Sequence, residues 1–229
     1  SGSRLREELN LLLAEPAIAV GGLERLAELG VLGAVEPRLV LDRERRRLAD
    51  GLRSRMIETV AALEWARLEE PSGFSPRATT SLLLTLAEAL DPAGRERLAD
   101  RLALAGEERR VLIERTARLA EIRNTIDRGG VRASEVDATL AGSSDEELLL
   151  LFARSGEIGR AWVRRYLVEL APFALAIRGG DLVAAGLAPG PAIGRALDAT
   201  RRARLDGHLN EGGELAFALT AAGVERSEG

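Results

Sequence analysis

Apolar residues recur at helical spacing along most of the chain. Leu5, Leu9 and Leu12 share one face of a helix predicted over residues 4–14. A longer stripe predicts a second helix, for which Asp42 is the candidate N-cap. Its inward-facing residues are expected to be Leu48, Leu52, Met56, Val60 and Leu63.

A third long stripe predicts a helix over residues 107–128. Its inward residues are expected to be Leu112, Leu119, Ile122 and Ile126. Gly129 and Gly130 should end this helix, as Gly30 should end an earlier one in the C′ position. Shorter helices are predicted over residues 131–140 and 158–170.

Capping residues mark where other helices should begin. Ser-Pro at 75–76 and Asp-Pro at 91–92 are each typical of an N-cap followed by proline in the first helical position. Ser144 and Glu147 have the spacing of a capping box. The pair Gly21–Gly22 predicts a break between two helices.

No segment alternates apolar and polar residues with β-branched side chains, as a half-buried strand would. Hydrophobic residues make up 46% of the chain but aromatic residues only 3%, so the core must be mainly aliphatic. We therefore predict an all-α fold, an elongated multi-helix array without a sheet. The glycine-containing stretches at 129–130 and 141–143 are the expected places for a domain boundary.

The charge pattern singles out one segment as a candidate for binding a polyanion. The net charge of the whole chain is −4, and all 32 basic residues are arginine. Between Arg154 and Arg204, however, nine arginines and four acidic residues give a local charge of +5. Any nucleic-acid partner is expected to bind within this basic window.

Several kinds of catalytic or metal site are excluded by composition. The chain has no cysteine and a single histidine, His208, which we interpret as an exposed loop residue. Asp42 and Glu44 come nearest to a metal-binding pair, but they lie in an arginine-rich segment at 43–47 that is read as a solvated helix face. We predict no catalytic and no metal-binding residues.

Ordered motifs near both ends resemble a known family. Residues 3–9 read Ser-Arg-Leu-Arg-Glu-Glu-Leu, and residues 26–32 read Leu-Ala-Glu-Leu-Gly-Val-Leu. Arg-Arg-Tyr-Leu-Val-Glu-Leu, Ile-Arg-Gly-Gly-Asp-Leu, Gly-Leu-Ala-Pro-Gly-Pro-Ala-Ile-Gly and Ala-Arg-Leu-Asp-Gly follow from residue 164 to residue 207. The series resembles the C-terminal region of bacterial tRNA nucleotidyltransferases and poly(A) polymerases, which are class II nucleotidyltransferases. Its last motif is similar to the long A-adding type with DHH and CBS domains.

This resemblance implies a division of the chain and a set of partners. Residues 1–37 would be the end of the neck helices, 38–142 the helical body and 143–229 the helical tail. The partners would be tRNA or other RNA 3′ ends, the protein's own N-terminal catalytic head and, in a homodimer, a second copy, in the cytoplasm and away from membranes. The family's phosphate turn, its Asp-x-Asp metal pair and its Glu-Asp-x-x-Arg nucleotide-selecting motif do not occur here. Mg²⁺ and ATP or CTP would therefore belong to the head, and this chain is expected to be non-catalytic and to carry no cofactor.

In such an enzyme the helical region would hold tRNA mainly through phosphate and sugar. The candidate RNA-binding residues are the arginines of the basic window, namely Arg160, Arg164, Arg165, Arg178, Arg195, Arg201, Arg202 and Arg204. Solvation, or pairing with helix C-termini, is the alternative for each of them. Trp162 and Tyr166 would stack on bases or pack in the core.

Two turns in the tail motifs allow both a functional and a structural interpretation. Gly190 and Pro191 either expose backbone N–H groups to a phosphate or simply begin a helix. The second interpretation fits better because proline has no N–H to donate. Asp181 is interpreted as a helix cap rather than a catalytic acid.

Two hypotheses about function follow. The first is an RNA-binding region that positions tRNA for 3′-end nucleotide addition, and the second is an all-α scaffold or dimerisation module that does not bind RNA. The ordered motifs and the local charge favour the first, whereas the negative net charge and the scarcity of aromatic residues favour the second. A free-standing hydrolase is disfavoured because no nucleophile or metal cluster is present.

Overall fold

A computed structural model describes residues 1–39, 41–42, 47–48, 50–69, 71 and 73–223, with side chains from 41 to 50 excepted. Its helices are α1 Gly2–Leu13, α2 Pro16–Glu28, α3 Val31–Val35, α4 Asp50–Glu69, α5 Ala78–Glu88, α6 Pro92–Arg101, α7 Gly106–Arg110, α8 Thr116–Ile126, α9 Ala133–Leu140, α10 Asp145–Arg154, α11 Glu157–Arg165, α12 Gly179–Ala184, α13 Pro191–Leu205 and α14 Glu214–Ala221. A two-residue antiparallel pairing of β1 Leu41–Asp42 with β2 Arg47–Leu48 is the only β structure of the described chain, and it builds no core layer. The predicted all-α fold class is confirmed.

The chain forms two compact units. The larger unit comprises residues 1–128 and 142–164, and the smaller unit comprises residues 129–141 and the chain from 165 onwards. The chain crosses from one unit to the other three times, and two of these crossings lie at the glycine-containing stretches predicted as domain boundaries. The proposed division into neck, body and tail at residues 37 and 142 stays a prediction.

Leucine and alanine fill the core of the larger unit, as the composition requires. Leu13, Leu23, Leu82 and Leu86 are completely buried. Gly22 lies inside α2, so the predicted break at Gly21–Gly22 is wrong. A Cβ atom at Gly22 would lie 2.2 Å from Leu12 Cδ1 of α1, so glycine here permits the close packing of two helices.

The third long helix is interrupted by a change of hydrogen-bonding pattern. A π-helical turn, Val111–Arg115, joins α7 to α8, and the backbone remains helical throughout. The four residues predicted to face inward are all buried. The stripe therefore predicted the buried face correctly but not the π turn.

Capping predictions succeeded where the cap is local. The Asp91 carboxylate accepts the Gly94 N–H at 2.8 Å, and Ser144 and Glu147 form the expected capping box. Helix α5 begins at Ala78 rather than at residue 76, and Arg77 is its N-cap; the Ser75 N–H donates to Asp145 Oδ2 at 2.8 Å. The Ser-Pro segment therefore lies before the helix and contacts the start of α10.

The predicted start of the second long helix is also wrong. Helix α4 begins at Asp50, whereas the backbone at Asp42 lies in β1. Arginines three and four residues apart between 43 and 47 repel one another in a helix, which disfavours the longer one. The basic run at 43–46 and Glu44 lie outside the described residues, so their interpretation stays a prediction.

The smaller unit contains a small apolar core, and a residue distant in sequence caps one of its helices. Leu182, Ala196 and Ala218 are completely buried at its centre. Asp206, which follows α13, accepts the Ser134 N–H at 2.9 Å and the Ser134 Oγ–H at 2.8 Å. The Ala-Arg-Leu-Asp-Gly motif therefore caps the first turn of α9. No helix of the described residues is both long and apolar enough to cross a membrane.

A buried arginine ties three helices of the larger unit together. The Arg154 side chain is only 7% exposed, and its Nη2 atom donates to Glu88 Oε2 at 2.9 Å and to Thr59 Oγ1 at 2.9 Å. Its Nη1 atom donates to Glu58 Oε2 at 3.1 Å. Without Arg154, Glu88 would be a nearly buried carboxylate that has lost its hydrogen-bonded cation, which is costly.

We predict that Arg154→Met lowers the free energy of unfolding of the larger unit by about 3 kcal/mol. Urea unfolding followed by tryptophan fluorescence reports this unit specifically, because Trp65 and Trp162 both lie in it. The matched control is Arg101→Met at an exposed position of α6, which should change stability by less than about 0.5 kcal/mol. Equal effects of the two substitutions would contradict the proposed role of Arg154.

Candidate nucleic-acid interface

The basic window does not form a uniform set of free cations. Arg154 is bound to Glu58 and Glu88, both outside the window. The remaining eight arginines, which are the predicted RNA-binding residues, differ in what each guanidinium contacts.

Arg201 on α13 is held by the fold of the smaller unit. Its Nε and Nη2 atoms donate to the two carboxylate oxygens of Asp137, each at 2.9 Å. The Nη2 atom also donates to the Leu170 carbonyl at 2.7 Å, and the Nη1 atom donates to the Phe173 carbonyl. These contacts raise the pKa of Arg201 further above its ordinary value, chiefly through the Asp137 hydrogen bonds. Arg201 therefore joins α9, the π-helical turn at 166–170 and α13.

Arg204 pairs with a buried carboxylate, that of Glu214. Its Nε atom lies 2.7 Å from Glu214 Oε1, and Glu214 is completely buried. The other oxygen of Glu214 accepts the Ala176 N–H at 2.8 Å and the Ile177 N–H at 3.3 Å. Arg204 thus compensates a charge inside the smaller unit and is not free to follow a phosphate backbone.

Three exposed arginines of the smaller unit form a different group. Arg178, Arg195 and Arg202 make no ion pair with a carboxylate of the described residues. Arg195 and Arg202 lie on the same face of α13 because seven residues are about two helical turns. Arg178 lies towards the Arg195 end, since a Cβ atom on the next residue, Gly179, would be 3.1 Å from Ile193 of α13. We call these three residues the α12–α13 arginines.

Two further candidates, Arg160 and Arg164, lie beside aromatic rings of the larger unit. Phe152 and Trp65 stack with centroids 3.8 Å apart. The Arg164 guanidinium lies 5.4 Å from each ring and donates to Glu69 Oε1 at 3.1 Å. Arg160 donates to the Phe152 carbonyl at 3.1 Å and lies 5.7 Å from its ring. Cation–π contact orients both guanidinium groups.

Arg165 and the two predicted stacking residues complete the candidates. Arg165 pairs with Glu169 at 2.8 Å, four residues along the same helical segment. Trp162 and Tyr166 are both half-buried, and burial raises the pKa of the Tyr166 hydroxyl. Their contact with RNA bases stays a prediction.

The turns in the tail motifs have structural roles. Gly190 is the N-cap of α13 and Pro191 is its first residue, as predicted. The Asp181 carboxylate accepts the Arg178 N–H at 2.6 Å, so it caps the start of α12. His208 is an exposed residue after α13. No three acidic or histidine side chains converge as metal ligands in the described part of the chain.

Sequence reasoning missed the distinction between these groups. The carboxylates that bind Arg154, Arg164, Arg201 and Arg204 lie between 10 and 96 residues away. A window of local charge cannot detect such partners. The Arg165–Glu169 spacing of four residues favours a pair on one helix face, but Asp198 and Arg202 have the same spacing and form no such pair in the described chain.

We predict that Arg201→Ala and Arg202→Ala differ sharply in their effect on stability, although the residues are adjacent. Arg201→Ala leaves Asp137 without its cation and should destabilise the smaller unit by about 2 kcal/mol, because water reaches part of the pair. Arg202→Ala should change stability by less than about 0.5 kcal/mol. Hydrogen exchange of the α9 amides measures both effects, and similar protection in the two variants would contradict the assignment.

Comparisons with known proteins identify the fold. No protein-family model matches the sequence. No curated protein matches it either. A structure of the Thermotoga maritima CCA-adding enzyme complexed with tRNA is similar to the chain at a TM-score of 0.75 and 22% identity, over 96% of this chain and 52% of that one.

Two further structures give the same result. A CCA-adding enzyme in complex with CTP matches at a TM-score of 0.74 and 21% identity, over 97% of this chain and 50% of that one. A CCA-adding enzyme in complex with ATP matches at a TM-score of 0.73 and 20% identity, over 100% of this chain and 52% of that one. The chain spans about half the length of the solved enzymes it matches. It therefore shares its fold with about half of a CCA-adding enzyme.

Proposed function

We propose that this chain is the C-terminal, RNA-binding region of a tRNA nucleotidyltransferase or poly(A) polymerase, and that it positions tRNA for nucleotide addition. Two independent features support the proposal. The tail motifs occur in the family's order, and the fold matches CCA-adding enzymes over nearly the whole chain. One of those enzymes is complexed with tRNA.

The observation that carries RNA binding is the group of α12–α13 arginines. Arg178, Arg195 and Arg202 are exposed cations to which the described fold assigns no carboxylate. A phosphate backbone supplies the missing negative charge, and binding releases counterions from the RNA. Arg160, Arg164 and Arg165 are secondary contacts because each guanidinium already has a partner or a ring beside it. Arg201 and Arg204 act indirectly, by holding α13 in place.

The chemistry of nucleotide addition belongs to other parts of the proposed enzyme. Two metal ions held by carboxylates would activate the RNA 3′ hydroxyl and the triphosphate. Mg²⁺ and ATP or CTP would accordingly bind to the catalytic head. The proposed partners of this chain are that head and RNA, and the proposed location is the cytoplasm. The role of this chain is to fix the distance between the RNA stem and that head.

An all-α scaffold or dimerisation module is the second candidate. Five of the nine arginines in the basic window are neutralised by carboxylates, as expected of a scaffold. Leu11 is also 70% exposed and Ile18 is 59% exposed. If these residues form one continuous patch, it would favour contact with another protein surface, which a homodimer or the head would supply.

We predict that Arg178→Ala/Arg195→Ala/Arg202→Ala weakens tRNA binding about tenfold or more at moderate salt. Losing up to three phosphate contacts should reduce the slope of log K against log salt by about 2 to 3. Fluorescence anisotropy with labelled tRNA at several salt concentrations measures both quantities.

The control is Arg4→Ala/Arg101→Ala/Arg118→Ala, which removes three exposed arginines from the larger unit and changes the net charge equally. It should retain most of the affinity. Equal losses in the two triple variants would reduce the effect to overall charge, and absence of tRNA binding at low salt would leave the scaffold candidate.

A further inference from the structure

A small cavity in the larger unit is lined by an excess of arginine. It lies among α4, α5, α6, α8 and α10 and has a volume of about 170 Å³. Its charged lining residues are Arg55, Glu88, Arg95, Arg123 and Arg154. Four arginines and one glutamate therefore line the cavity, and Glu58, which pairs with Arg154 from outside the lining, brings the net charge of the group to +2.

Of the four lining arginines, the described fold pairs only Arg154 with carboxylates. Arg55 Nη1 donates to the Glu88 carbonyl at 3.0 Å, and Arg95 Nε donates to the Ala87 carbonyl at 3.1 Å. Both carbonyls end α5, where the helix dipole contributes only about half a negative charge. Arg123 makes no side-chain hydrogen bond or ion pair with the described residues. The cavity lining thus remains strongly positive.

A buried hydroxyl in the cavity lining also lacks a partner. Thr116 is 4% exposed, and its Oγ1 atom has no hydrogen-bond partner in the protein. The helical residues Thr59, Thr85 and Thr200 each donate to the carbonyl four residues earlier, at 2.8–2.9 Å. Thr116 directly follows the π-helical turn, in which carbonyls bond five residues ahead. This turn therefore leaves the Thr116 hydroxyl available to a ligand.

We propose that this cavity binds a phosphate group. A phosphate oxygen accepts hydrogen bonds from guanidinium N–H groups and from the Thr116 hydroxyl, and its charge offsets the excess of arginine. The volume is below the roughly 300–1,000 Å³ of sites for drug-sized ligands, which favours a phosphate or diphosphate group over a whole nucleotide. A backbone phosphate of bound RNA and a free diphosphate share this chemistry.

The test is isothermal titration of the whole chain with inorganic pyrophosphate. We expect saturable binding, and we expect Arg123→Gln to raise the Kd about tenfold because a charge-assisted hydrogen bond is lost. Thr116→Val should also raise it several-fold. The fold should survive both changes, since neither side-chain group has a partner to lose, and tryptophan fluorescence during urea unfolding verifies this.

Arg118→Gln is the matched control, because Arg118 is an exposed residue of the same helix, five residues from Arg123. It should bind pyrophosphate as the unmodified chain does. Absence of saturable binding, or equal Kd values for Arg123→Gln and Arg118→Gln, would overturn the proposal.

Titration with tRNA separates the two sources of the phosphate. If the ligand is an RNA phosphate, Arg123→Gln weakens tRNA binding and pyrophosphate competes with tRNA. If it is a free diphosphate, tRNA affinity is unchanged by Arg123→Gln. The pyrophosphate measurement does not depend on the α12–α13 arginines, so failure of either proposal leaves the other standing.

Discussion

The helices of this chain bury carboxylates, and each buried carboxylate has to be met by an arginine or by backbone N–H groups. Glu36 and Glu214 are both completely buried. Arg97 binds Glu36 through two hydrogen bonds of 2.9 and 2.8 Å, which lower the pKa of this carboxyl below its ordinary value. Such a pair stabilises the fold at neutral pH, and its contribution is lost as the pH falls through the lowered pKa. An uncompensated carboxylate would cost several kcal/mol, so these contacts decide which arginines remain for function.

This constraint changes the meaning of the basic window. Arg154 and Arg201 each join several elements within their own unit, although both contribute to the local charge of +5. Positive charge that is available to a polyanion remains at a few exposed positions and in the cavity beside Arg123. The proposed interaction with RNA therefore depends on a small number of phosphate contacts. A chain with a net charge of −4 can bind RNA in this way.

Local signals in the sequence were sufficient for the fold class, the buried helix faces and several caps. The Asp91 cap and the Ser144–Glu147 capping box lie within a few residues of the groups they bind. The errors arose where the cause lies elsewhere in the fold. Gly22 lies inside a helix that packs closely on Leu12, and the Ser-Pro segment lies outside its helix, with the Ser75 N–H bonded to Asp145, 70 residues away. The assignment of RNA-binding residues stays a prediction. The sequence does not distinguish Arg201 from the adjacent Arg202, since Asp137 and the Leu170 and Phe173 carbonyls that bind Arg201 lie 28 to 64 residues away. Nothing in the sequence marks the π-helical turn that frees the Thr116 hydroxyl.

Arginine-selective modification with phenylglyoxal tests this division of the arginines most directly. Peptide mass spectrometry would give the extent of modification at each arginine with and without tRNA. We expect Arg178, Arg195 and Arg202 to react readily in the free chain and to be protected by tRNA, whereas Arg154, Arg201 and Arg204 should react slowly in both states. Rapid modification of Arg201 and Arg204 in the free chain, or reactivity of the α12–α13 arginines that tRNA does not change, would contradict this division of the arginines.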